Sequence, residues 1–140
     1  MSRYLIILCS ILLLMISCKK DQKDDLEGKW QLREKICADG MSYQVDTVWY
    51  NFQNTLFAYQ IYDPTYEKYD GYRRCHGIKQ WMDDRQSLLK IRLVSDQQSV
   101  EDFLPYTDWW SEEQFFSVEK VNSKELILIR ETTKYIFRKF

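Results

Sequence analysis

From residue 26 to residue 140, the dominant period of the apolar side chains is two, not 3.6. That period describes strands, because successive side chains of a strand point to opposite faces. It rules out a helical body. Trp30, Leu32, Glu34 and Ile36 alternate with Gln31, Arg33, Lys35 and Cys37 in the first such segment. ADG (38–40) turns the chain. TVWYNF (47–52) sets Val48, Tyr50 and Phe52 against Trp49 and Asn51, QNT (53–55) turns, and LFAYQIY (56–62) returns. After DPTYEKYDG (63–71), a loop with a Pro stop, YRRCHGIKQWM (72–82) reads as a strand with a kink expected at Gly77. DDRQ (83–86) leads into SLLKIRLV (87–94), with Leu89, Ile91 and Leu93 on one face.

Residues 95–114 break the rhythm, and a short helical turn is expected over 100–104, just before Pro105. A connection this long is more often functional than a short one. FFSVEKV (115–121), ELILIRE (125–131) and YIFRKF (135–140) complete the set, separated by NS and TTK. The expectation is an all-β domain of about eight antiparallel strands in up-and-down order. Closing such a meander into a barrel removes both exposed edges. Four glycines and two prolines leave few interruptions, and no repeat or second domain is visible.

The region before this body has a different character. Residues 4–16 are apolar apart from Ser10, which is short of the roughly 20 residues that span a bilayer. With Arg3 ahead of it, the run reads as a secretory signal. It stops at Met15-Ile16-Ser17-Cys18, which resembles a bacterial lipobox, so residues 1–17 are expected to be removed and Cys18 to carry the lipid. Residues 18–25 then form the lipidated cysteine and a charged tether, KKDQKDD, in which nothing can bury. A Lys-then-acidic stretch after the cysteine resembles a surface-export signal in some Gram-negative groups. The expected location is therefore the outer membrane, lipid-anchored and facing outward. The domain itself occupies residues 26–140.

Without Arg3 the mature chain has 19 basic and 21 acidic residues, a net charge of −2. No basic stripe is present, so nucleic-acid binding has no electrostatic footprint. Once Cys9 leaves with the signal and Cys18 takes the lipid, Cys37 and Cys75 remain. An even pair in an oxidising compartment predicts a Cys37–Cys75 disulfide.

LEGKWQL (26–32) carries Gly28-x-Trp30 at the start of the first strand. Lipocalins and their relatives carry G-x-W there, with the Trp plugging one end of the barrel. YIFRKF (135–140) is similar to the end of such chains, where a basic residue of the last strand lies over that Trp. VDTVWYNFQNTLFAYQ (45–60) resembles small lipocalin-like bacterial lipoproteins. The resemblance implies a lipocalin-like barrel with Trp30 as plug and Arg138 as the basic residue over it. It also implies a binding protein without a cofactor, and it names no ligand.

Chemistry-bearing residues are sparse. His76 is the only histidine and stands beside Cys75, too few donors for a zinc site. Neither nucleotide-binding glycine motif occurs. Catalytic residues are therefore not assigned, and no enzyme is expected. The aromatic residues say more. Tyr50, Phe52, Tyr59, Trp81, Trp109 and Trp110 are the candidate ligand or partner contacts. Trp109 and Trp110 are adjacent, so on an extended segment both cannot enter one core. Two readings follow for a monomer tethered to a membrane. In one, the barrel holds a small apolar or amphipathic ligand. In the other, aromatic loops meet an extracellular protein or glycan.

Overall fold

The computed structural model describes residues 25–95 and 97–140, and the expected signal segment, Cys18 and most of the tether lie outside them. Nine strands form one antiparallel sheet: β1 (Gly28–Ile36), β2 (Ser42–Gln44), β3 (Val48–Gln53), β4 (Leu56–Tyr62), β5 (Tyr72–Trp81), β6 (Leu88–Leu93), β7 (Glu113–Val121), β8 (Glu125–Arg130) and β9 (Thr133–Lys139). From β3 to β9 neighbours pair in sequence order, β1 pairs with both β2 and β3, and β1 also pairs with β9, which closes the sheet. Since β9 takes one edge of β1, β2 and β3 share the other, β2 against Glu34–Ile36 and β3 against Gly28–Gln31. The architecture is thus an eight-stranded barrel with one short extra strand. β2 is wholly exposed, so it carries no alternation that a sequence could reveal.

The turns fall where the punctuation residues stand. Asn54 adopts positive φ in the β3–β4 turn, and the Asn122 side chain accepts from the backbone N–H of Lys124 and Glu125 in the β7–β8 turn. In the long β6–β7 connection, Ser99 caps α1 (Val100–Phe103) by accepting from the N–H of Asp102 at 3.2 Å. A 3-10 turn, Leu104–Tyr106, carries Pro105 and ends the helical stretch. The expected helical turn is there.

Two β-bulges adjust the wall. In the β1–β9 ladder Leu32 pairs with Phe137 and Glu34 with Ile136, so Arg33 is an extra residue. The bulge reverses the parity of β1 beyond Leu32. Trp30 and Leu32 face inward as expected, but Glu34 and Ile36 do not continue their face. Lys35 instead falls level with the inward Tyr135. A second bulge lies between Val118 and Lys120.

Two expectations are overturned. No disulfide joins Cys37 and Cys75. Cys75 pairs with Tyr59, Tyr59 with Tyr50 and Tyr50 with Trp30, so Cys75 lies level with Trp30 in the sheet. Cys37 lies seven positions beyond Trp30. Three strand spacings of about 4.8 Å each also separate β5 from β1 along the wall, so the pair stands outside the roughly 7 Å reach of a disulfide. Gly77 also marks no kink. It pairs regularly with Phe57 and Leu93, and a Cβ there would collide with the Arg92 carbonyl oxygen. The glycine permits close approach of β5 to β6.

Candidate functional site

The strand termini define two ends. At one end the chain enters through Leu26 and Glu27 and Trp30 fills the opening, wholly buried, its indole N–H donating to the Leu26 carbonyl at 2.8 Å. Gly28 makes this possible in two ways. Its φ of +117° suits only glycine, and a Cβ would collide with the Lys139 side chain. The Lys139 ammonium lies 4.4 Å from the Trp30 ring centroid and also donates to the Glu27 carbonyl. Lys139, not Arg138, is therefore the basic residue over the plug. The register explains the shift by one: Trp30 pairs with Lys139 and shares its face, while Arg138 pairs with Gln31 and is exposed.

Between the ends the lumen is filled. Tyr50, Phe52 and Tyr59 all point inward and are buried. Tyr50 of β3 meets Phe137 of β9, two strands away across β1, with ring centroids 4.8 Å apart, and meets Phe116 of β7, on the facing wall, at 6.3 Å. Trp81 is half-buried at the plugged end and packs against this cluster. Burial pushes the Tyr50 and Tyr59 hydroxyls well above the ordinary tyrosine range, so both are neutral donors and acceptors at neutral pH.

The β6–β7 connection closes the other end. Phe103 and Trp109 turn into the barrel, and Trp109 stacks on Phe57 at 6.1 Å and donates its indole N–H to the Tyr50 hydroxyl at 3.0 Å. Trp109 is 4% exposed and Trp110 64%, so the adjacent tryptophans split between core and solvent as strand geometry requires. Trp49 lies on the outer wall, yet Tyr72 and Phe140 rings cover it.

Several charged residues at this end were not singled out by the sequence reading. Asp108 accepts from Lys35 Nζ at 2.8 Å and from the Tyr135 hydroxyl at 2.7 Å, and Arg130 Nη2 lies 3.3 Å from the same carboxylate. Burial alone would raise the Asp108 carboxyl. The Lys35 and Tyr135 hydrogen bonds and the Arg130 charge outweigh it and hold the group below the usual carboxylate range. Arg73 is clamped between the Tyr66 ring at 4.0 Å and the Tyr106 ring at 3.7 Å, and donates to Asp63 at 2.9 Å. A signal for these existed. Arg73 precedes Cys75 by two, Arg130 follows Leu128 by two and Gln114 precedes Phe116 by two, all at inward parity. A polar residue on an apolar face needs a buried partner.

A family model described as a lipocalin-like domain matches residues 12–140. The chain belongs to the lipocalin-like family. A crystal structure of a lipocalin-like protein from Bacteroides uniformis is 35% identical, with 83% of this chain and 99% of that one covered and a TM-score of 0.67. An uncharacterized protein from Bacteroides eggerthii is 30% identical over 82% and 99%, with a TM-score of 0.65. No curated protein matches. The G-x-W entry, the plug and the meander closure thus belong to a lipocalin-like barrel. Its filled lumen and its two closed ends leave the outer wall and the loop end as the accessible surface. On that wall His76 is exposed beside the inward Cys75. Among the described residues no group of three or more His, Cys, Asp or Glu is placed to hold a metal ion.

Proposed function

We propose that this lipocalin-like domain is an exported, lipid-anchored recognition module that engages its ligand or partner from outside the barrel, at the loop end, and does not carry a lipophile in its lumen. The observation that carries this reading is the contact between facing walls, Tyr50 of β3 against Phe116 of β7 at 6.3 Å, with Trp109 packed on both rings. A ligand pocket typically has several hundred Å3, and here aromatic rings occupy that space. The lipobox at Cys18 and the charged tether support attachment to the outer membrane, facing outward. The family, by contrast, supports a small apolar ligand. That occupant would have to displace Trp109 and break its hydrogen bond to Tyr50.

A titration with a fluorescent long-chain carboxylate separates the two. The expected result is no saturable binding below the probe's own micelle concentration. Stoichiometric binding abolished by Tyr50→Trp, with the fold intact, would return the lumen to use. Attachment is tested separately. Cys18→Ala is expected to move the protein from the membrane fraction to the soluble fraction, and a variant that stays in the membrane after a carbonate wash would show that Cys18 is not the anchor.

A further inference from the structure

The barrel wall has a gap near the loop end. β7 pairs with β6 along Glu113 to Ser117, but with β8 only from Ser117 onward, because β8 ends at Arg130 and turns into β9. A half-open cleft of about 390 Å3 occupies the gap, lined by Trp110, Glu113, Gln114, Phe115, Arg130 and Glu131 among others.

Two of its polar side chains are incompletely satisfied. Arg130 is 8% exposed and Gln114 1%. Arg130 Nη2 donates to the Asp108 carbonyl at 2.9 Å, whereas Nη1 is buried with no hydrogen-bond partner among the described residues. Gln114 Nε2 donates to Ser111, whereas Oε1 is buried and likewise has none. Leaving a buried donor or acceptor unmet is costly, so each favours a ligand group that pairs with it. The Trp110 ring covers the guanidinium, 5.0 Å from its central carbon, and is itself largely exposed. Rotation of an exposed side chain is fast, so this cover can open.

The chemistry narrows the occupant. An apolar molecule would leave both Nη1 and Oε1 unmet. An anion would meet Glu113 and Glu131 at the rim, and the Asp108 carboxylate, which Arg130 shares with Lys35, already lies 3.3 Å from the guanidinium. An ammonium group cannot accept from Nη1. A hydroxyl can do both, since it accepts and donates. A ring bearing several hydroxyls also offers an apolar C–H face to an indole.

We propose that the cleft binds a neutral saccharide unit, stacked on Trp110, with ligand hydroxyls accepting from Arg130 Nη1 and donating to Gln114 Oε1. The assignment deepens the outer-surface reading above and rests on it only for access to the loop end.

The test is NMR of the indole N–H signals in the detergent-solubilised full chain, titrated with neutral disaccharides of differing linkage and, separately, with acetate and palmitate. A neutral disaccharide is expected to shift Trp110 saturably and leave Trp30 in place. Trp110→Ala is expected to weaken binding about tenfold or more at unchanged Tm. Gln114→Met, which keeps length but removes the acceptor, is expected to weaken it about fivefold or more. The proposal is overturned if no neutral disaccharide moves Trp110 at concentrations on the order of 10 mM, if acetate alone saturates the shift, or if Trp110→Ala binds as the parent does. A palmitate shift confined to Trp109, with Trp110 still answering to saccharide, would overturn the filled lumen and support the cleft.

Discussion

Trp30→Ala is expected to destabilise the domain by about 3–5 kcal/mol, the range for removing a buried Trp or Phe side chain. The indole is wholly buried, holds the entering chain through its bond to the Leu26 carbonyl, and carries Lys139 above it. Its removal opens a void at a barrel end, where only the Lys139 stem and residues 26–27 could relax inward. Urea unfolding followed by tyrosine fluorescence would measure the loss. Trp30→Phe should lose less, because most of the ring volume stays and one hydrogen bond goes. An alanine variant within about 1 kcal/mol of the parent would make Trp30 peripheral and undo the plug.

The second large effect is expected at Asp108. Asp108→Asn leaves Arg130, which is buried, and Lys35 without their shared counter-charge. Breaking a fully buried pair costs roughly 3–5 kcal/mol. Asp108 and Lys35 side chains keep 28% and 26% exposure, so solvent screens part of this and about 2–3 kcal/mol is the expected loss at neutral pH. The sign with pH follows from the depressed carboxyl. Its stabilisation is fully present above the unfolded-chain value, near pH 4, and disappears as pH falls through the lower folded value. The difference in stability between parent and variant should therefore shrink on acidification below about pH 4. A difference that stays constant through that range would show that Asp108 contributes through shape and not through charge. The half-buried Asp63 and Asp83 are also held low by hydrogen bonds from Thr65 and Ser87, but they are common to both proteins and cancel.

Much of the fold was legible because alternation is a local property. Leu89, Ile91 and Leu93 declare their face within one segment, and Pro105 declares where α1 must stop. Features that depend on pairing were not legible. The Arg33 bulge leaves the written sequence of β1 unchanged, yet it turns Lys35 toward Asp108 and Tyr135. The choice of Lys139 over Arg138 is likewise a matter of register, which a single strand cannot reveal. The disulfide failed for a related reason: cysteine number and compartment say that a bond is permitted, and only the ladder says where the two residues stand. Of the contact candidates, Tyr50, Phe52, Tyr59 and Trp109 became core, Trp81 became partly core, and Trp110 alone stayed at the surface in a cleft. The aromatic residues were expected to be ligand or partner contacts, with a hollow or a filled barrel left open, and most of them fill the lumen.

The position of residue 25 has a consequence for orientation. The chain joins the barrel at the Trp30 end, and the β6–β7 connection with Trp110 lies at the other, across strands of six to ten residues. At about 3.3 Å per residue along strands tilted by about 40°, that separates the two ends by roughly 15–25 Å. Any attachment made N-terminal to residue 25 therefore grips the domain by its plug. The length of the barrel then serves as a spacer between that grip and Trp110, which stands at the opposite end.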